Sequence, residues 1–173
     1  MVAKIAQDGV QAADADWKFR QNAANFARQG YAIHGLLNSA LLTRAADGDT
    51  TISEISGSVQ ALAKAASERS GFAVAAAGRI GLTCQSCGDA FELPVDSHSV
   101  IHVARDAAEL ASWEDEAFES IGGDEKTSAL ELVEDELLLA IPYVPRCEKC
   151  DGAQRDKAVA AGDDDAPLSR EFS

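Results

Sequence analysis

The sequence predicts an α+β protein: a small antiparallel sheet with a long hairpin that carries a Cys-x-x-Cys knuckle, flanked by short helices. Three observations lead there. Apolar residues alternate along 72–84 and again along 91–103, a Cys-x-x-Cys-Gly turn separates the two stretches, and a capping signature at Ser128 opens an apolar run at helical spacing.

The first arm of the hairpin is "GFAVAAAGRIGLTC". Phe72, Val74, Ala76, Ile80, Leu82 and Cys84 share one parity, with Arg79 and Thr83 on the other, the pattern of a strand with one buried face. In the second arm Phe91, Leu93, Val95, Ile101 and Val103 share one parity while Glu92, Asp96, His98 and His102 take the other. Upstream, "ISEISGSVQAL" fits a further antiparallel strand, although the Ala-rich "ALAKAASE" also suits a helix. Earlier still, "YAIHGLLNSALLTRAADG" reads either as one helix through Ile33, Leu36, Leu37, Ala40 and Leu41, or as a strand followed by a short helix with Asn38 as its N-cap. Downstream, Ser128 stands three residues before Glu131, the capping-box spacing. Leu130, Val133, Leu137 and Ile141 follow at helical intervals, and Pro142 stops propagation. On that helix Glu134, Asp135 and Glu136, with Glu131, form a dense acidic face, offered to solvent or to a basic partner.

The chain of 173 residues suits one domain, expected over residues 17–150. Residues 1–16 read as a loosely ordered N-terminal tail and residues 151–173 as a disordered acidic C-terminal tail. The absence of any apolar run of membrane-spanning length or of a secretory leader points to a cytoplasmic protein with no membrane partner. The net charge of -14 is unevenly spread. Residues 1–88 hold seven acids and eight bases, residues 89–173 twenty-two acids and seven bases. The acidic half repels phosphate backbones, so nucleic-acid contact is expected only from the first half.

All four cysteines fall in two Cys-x-x-Cys pairs, Cys84 with Cys87 and Cys147 with Cys150. In a reducing compartment this favours a metal or redox chemistry over a disulfide framework. A turn closed by Gly88 brings two thiolates to one cation, and a second pair completes a tetrahedral structural Zn(II) with no open coordination position. The rivals are a thiol-disulfide redox centre and four unligated thiols. The residues after Cys87 read as turn and strand, not as the helix N-terminus that activates a redox cysteine. With three histidines, no nucleophile elbow, no phosphate-binding Gly loop and no two-His metal motif, no enzyme is expected.

Three blocks in order, "LTCQSCGDAFELPVD" (82–96), "VARDAAE" (103–109) and "ALELVEDELLLAIPYVPRC" (129–147), resemble the bacterial YceD family, the large ribosomal RNA subunit accumulation proteins. The resemblance spans about residues 26–150 and leaves the tails uncovered. "LLTRAAD" sits where that family has a short N-terminal helix, which favours strand then helix in that region. Ser86 stands where the family's motif usually has a basic residue. The resemblance implies a small α+β protein, binding rather than catalytic, with a role in synthesis, processing or stability of 23S ribosomal RNA. Its partner is then large-subunit ribosomal RNA or a precursor particle. Because the net charge of -14 opposes RNA contact, three routes are open: contact through the first half alone, a basic ribosome-assembly protein docked on the acidic half, which the charge favours, or an indirect effect. Arg44, at the end of the short helix, and Arg79, on the polar face of the first hairpin strand, are the candidates for direct RNA contact. A thiol-disulfide redox protein and a zinc-stabilised interaction module of unknown partner are the alternatives.

Overall fold

The computed structural model describes residues 13–46, 48, 50–62, 69–113 and 118–151. The expected tails at 1–12 and 152–173 and the helical alternative at 63–68 lie outside the described residues.

Among the described residues these elements follow in order: α1 (Asp14–Lys18), β1 (Gln21–Asn22), α2 (Ala23–Arg28), β2 (Ala32–Leu37), a 3-10 turn (Ser39–Leu41), β3 (Thr51–Leu62), β4 (Gly71–Thr83), β5 (Ala90–Ala104), α3 (Ala107–Ala111), β6 (Glu119–Gly122), β7 (Lys126–Thr127) and α4 (Ala129–Ala140). The fold class is α+β. Five strands form one sheet in the order β2-β3-β4-β5-β6, and β1 with β7 form a two-stranded one. The long hairpin is β4 with β5, paired antiparallel from Gly71↔His102 to Thr83↔Ala90, and its turn holds the first Cys pair. The sheet is not wholly antiparallel, because β6 lies parallel to β5. The chain between them contains α3, and only such a crossover lets consecutive strands run in the same direction.

The alternation seen in the sequence places the core. Phe72, Val74, Ala76, Ile80 and Leu82 of β4 are buried with Ile55 and Val59 of β3, Ile33 and Leu37 of β2, and Val95 and Val103 of β5. Helix α4 lies across this face and buries Leu130, Val133 and Leu137, each contributing roughly 1.5–3 kcal/mol. Gly57 lets it come close: a Cβ there would stand 2.8 Å from Leu37 Cδ1 and 2.9 Å from Val133 Cγ1. Helix α2 adds Phe26, whose ring meets Phe72 edge-on at 6.3 Å.

The start of α4 follows its capping signature: Ser128 Oγ accepts from Glu131 N–H at 3.2 Å and donates to Glu131 Oε2. Residues 32–46 form a strand, a 3-10 turn in which Asn38 Oδ1 accepts from Ala40 N–H, and a further turn over 43–46. The 3-10 helix ends at Leu41, so Arg44 lies in the turn beyond it rather than at a helix end. The expected tail also loses its last part to structure, since α1 begins at Asp14 and buries Trp17 completely. No helix among the described residues is long and apolar enough to cross a membrane.

Candidate metal centre

Strand β4 delivers Cys84 at its end, where the chain must reverse into β5. The Cys84 N–H donates to Asp89 O and the Gly88 N–H to Cys84 O, both at 2.9 Å, and Gly88 adopts φ 77°, open to glycine at little cost. Pro142 ends α4, and the chain turns back so that Pro145 O accepts from Gln85 N–H at 2.9 Å. That bond fastens the second Cys segment to the first knuckle. A helical turn over 148–151 follows, with the Cys150 and Asp151 N–H groups both donating to Cys147 O. Cys147 N–H points at Cys84 Sγ at 3.4 Å.

The result is that the sulfurs of Cys84, Cys87, Cys147 and Cys150 all lie within 4.8 Å of one another, with Cys87 and Cys147 3.8 Å apart. Tetrahedral coordination with metal–sulfur bonds of about 2.3 Å requires sulfurs roughly 3.8 Å apart, so these four residues can hold a metal ion. The protons they carry are unequal. The N–H of Cys147, with those of Cys87 and Ser86 and a side-chain contact to Cys87, pulls the Cys84 thiol down to about 6 against its desolvation. Hydrogen bonding to Cys147 and Cys87, with desolvation, pushes Cys150 up to about 12. Four crowded sulfurs cannot all be anionic without a compensating cation, and a divalent ion supplies it while displacing the remaining protons.

The other expected site residues take different places. Glu134 and Glu136 do not form a surface face: they are 4% and 5% exposed. Glu134 Oε1 accepts from the N–H groups of Arg44 (2.7 Å) and Ala45 (3.2 Å), and its Oε2 pairs with Arg44 Nε at 3.0 Å. Glu136 reaches over the sheet and accepts from the hydroxyls of Ser97 and Ser99 on β5. Only Asp135 of the three is exposed, and it pairs with Arg44 Nη1 at 2.8 Å. Glu134 and Glu136 thus fasten the turn at 43–46 and strand β5 to α4, and of the expected face only Asp135 is left exposed. The same contacts hold the Arg44 guanidinium, one of the two arginines expected to meet RNA, between two carboxylates. Arg79 is exposed on the polar face, as its parity implied, and pairs with Glu92 at 3.2 Å on the neighbouring strand.

Ser97 and Ser99 were not among the expected site residues. Their signal was present: they continue the inward parity of Val95, Ile101 and Val103, and two hydroxyls at inward positions call for a polar partner. His98 is exposed, while the ring of His102 meets those of Trp113 and Phe118; neither joins the sulfur cluster.

A family model described as "Large ribosomal RNA subunit accumulation protein YceD" matches residues 72–170, more than half of the chain. The chain belongs to the YceD family. The YceD match includes both Cys pairs and α4. It begins later than the resemblance in the sequence and continues past residue 150 into the segment expected to be an uncovered tail. Neither the curated proteins nor the solved structures gave a match.

Proposed function

We propose that this protein is a non-enzymatic ribosome-biogenesis factor that supports the synthesis, processing or stability of 23S ribosomal RNA, with a structural Zn(II) held by Cys84, Cys87, Cys147 and Cys150. Membership of the YceD family, whose description ties it to accumulation of large-subunit ribosomal RNA, carries this reading. Zinc suits the donor set because four thiolates in tetrahedral reach are its usual structural ligands, and they leave no coordination position for water or substrate. The ion would hold the hairpin tip against the end of α4, two elements joined there by the Gln85–Pro145 hydrogen bond and the Cys147–Cys84 contact.

Deleting the gene in its host and measuring the ratio of 23S to 16S ribosomal RNA tests the function. A fall in 23S, restored by the wild-type gene, is expected; an unchanged ratio would refute the role. A thiol-disulfide redox protein is the second reading, favoured by one observation, the mutual reach of the four sulfurs. Metal content of protein purified without a metal-affinity tag separates the two, with about one zinc per chain expected for the first. A basic assembly protein bridging to the precursor particle is an alternative to direct RNA contact, but Glu134 and Glu136 are not available to receive it.

A further inference from the structure

Among the described residues some arginines are held by carboxylates while other cations form no ion pair, and of the latter two stand beside a fully exposed aromatic ring. Arg20, Arg44, Arg79 and Arg105 are each held by a carboxylate. No ion pair among the described residues involves Arg146 or Lys149. These two lie in the segment that leaves α4 for the sulfur cluster, and the same segment carries Tyr143, whose side chain is completely exposed. A tyrosine with no contact to the core has no packing role. Pro142 and Pro145 on either side of it restrict the backbone, Pro145 O is tied to Gln85 N–H, and Cys147 is buried in the cluster. The aromatic ring is thus presented on a short, stiffened strap with little conformational freedom left to lose on binding. Leu139 and Val144 extend its exposed apolar surface.

We propose that Tyr143, Arg146 and Lys149 form a contact site for single-stranded ribosomal RNA, with a base stacked on the Tyr143 ring and neighbouring phosphates on the two cations. Three residues of extended chain span at most about 11 Å, so Tyr143 and Arg146 can touch one short RNA segment together. Stacking is indifferent to net charge, which lets an acidic protein hold RNA through a face and two unpaired cations rather than through a broad basic surface. Glu148 is exposed beside Lys149 and offsets part of its charge, so the ring carries the larger share. The site lies in the acidic half, against the expectation that only residues 1–88 contact RNA, because local pairing and not the sum of charge decides which cations are available. The metal cluster anchors the strap, which gives the zinc a part in presenting the site.

The inference rests on the ribosomal RNA reading above, and its test is separate from it. Binding of purified, zinc-loaded full-length protein to a labelled single-stranded oligonucleotide from large-subunit ribosomal RNA is measured by fluorescence anisotropy across a salt series. Tyr143→Ala is expected to weaken binding about tenfold, with Tyr143→Phe close to wild type. The double variant Arg146→Gln with Lys149→Gln should weaken binding and flatten the salt dependence. Zinc content and melting temperature of each variant establish that the fold is intact; Tyr143 is fully exposed, so neither should move. Tyr143→Ala binding as tightly as wild type would overturn the proposal, as would wild-type protein that binds this RNA only when assembly proteins are added. Either outcome leaves the deletion phenotype standing; an unchanged 23S ratio with intact RNA binding would remove the biological role and keep the site.

Discussion

Helix α4 gathers Glu131, Glu134, Asp135 and Glu136 within six residues, while the partners Cys87 and Cys147 stand 60 residues apart. The sequence reads the first set as one surface and the second as two halves of a single site; the structure breaks up the first and brings the second together. Around a helix, consecutive residues point about 100° apart, so neighbouring carboxylates are sent to different surroundings. Glu134 goes to Arg44 and the turn at 43–46, Asp135 to the exposed side of the same guanidinium, and Glu136 to the hydroxyls of β5. The hairpin tip and the end of α4, by contrast, are brought to one corner, and the sulfurs meet there. Crowding of like residues along the chain is therefore weaker evidence of a site than the scarcity of other uses for them. A carboxylate has many partners in a folded protein, whereas paired thiols in turns have few.

Several measurements sharpen this contrast. The largest effect is expected at the metal. Chelation, or Cys87→Ser, should lower stability by about 3 kcal/mol or more and release the ion, because ligand binding there is coupled to folding of the corner. Thermal melts with and without chelator check it; superimposable curves would mean that the sulfurs bear no structural load.

Next in size is Glu134→Gln, which leaves the Arg44 guanidinium facing a neutral amide at a buried position. A loss of about 2 kcal/mol, or roughly 4–8 °C in melting temperature, is expected. A solvated acidic face would instead show no change. Ser99→Ala removes one of the two hydroxyls on Glu136 and should cost about 1 kcal/mol in denaturant unfolding, with Ser97 keeping the carboxylate partly satisfied. The smallest effect belongs to Asp135→Asn. Its ion pair with Arg44 is about half exposed on both sides, so urea titration should find a change within about 0.5 kcal/mol. If Asp135 mattered as much as Glu134, the division of α4 into buried and exposed carboxylates would be wrong.

Much of the fold was legible. The hairpin could be read because period-two alternation runs through both of its arms, Phe72 to Leu82 and Phe91 to Val103, with a turn motif between them. Helix α4 could be read because Ser128, Glu131 and Pro142 mark its limits independently of its apolar stripe. Less was legible where signals compete. The strand at 51–62 contains residues that suit either state, and pairing with β2 and β4 on both sides decides it. The parallel strand β6 had no local signal, since parallel pairing depends on a crossover and on a distant partner.

The sequence by itself determined what depends on neighbours along the chain: periodicity, caps, turns, and the presence of two thiol pairs each shaped to hold half of a metal site. Only the tertiary structure decided what depends on neighbours in space. It joined Cys84 and Cys87 to Cys147 and Cys150, turned Glu134 and Glu136 inward, occupied Arg44 and Arg79 with carboxylates, and left Tyr143 without a neighbour. The physical reason is that a charge or a ligand atom acquires its role from the few ångströms around it. Distance along the chain does not set that distance until the sheet and α4 have packed.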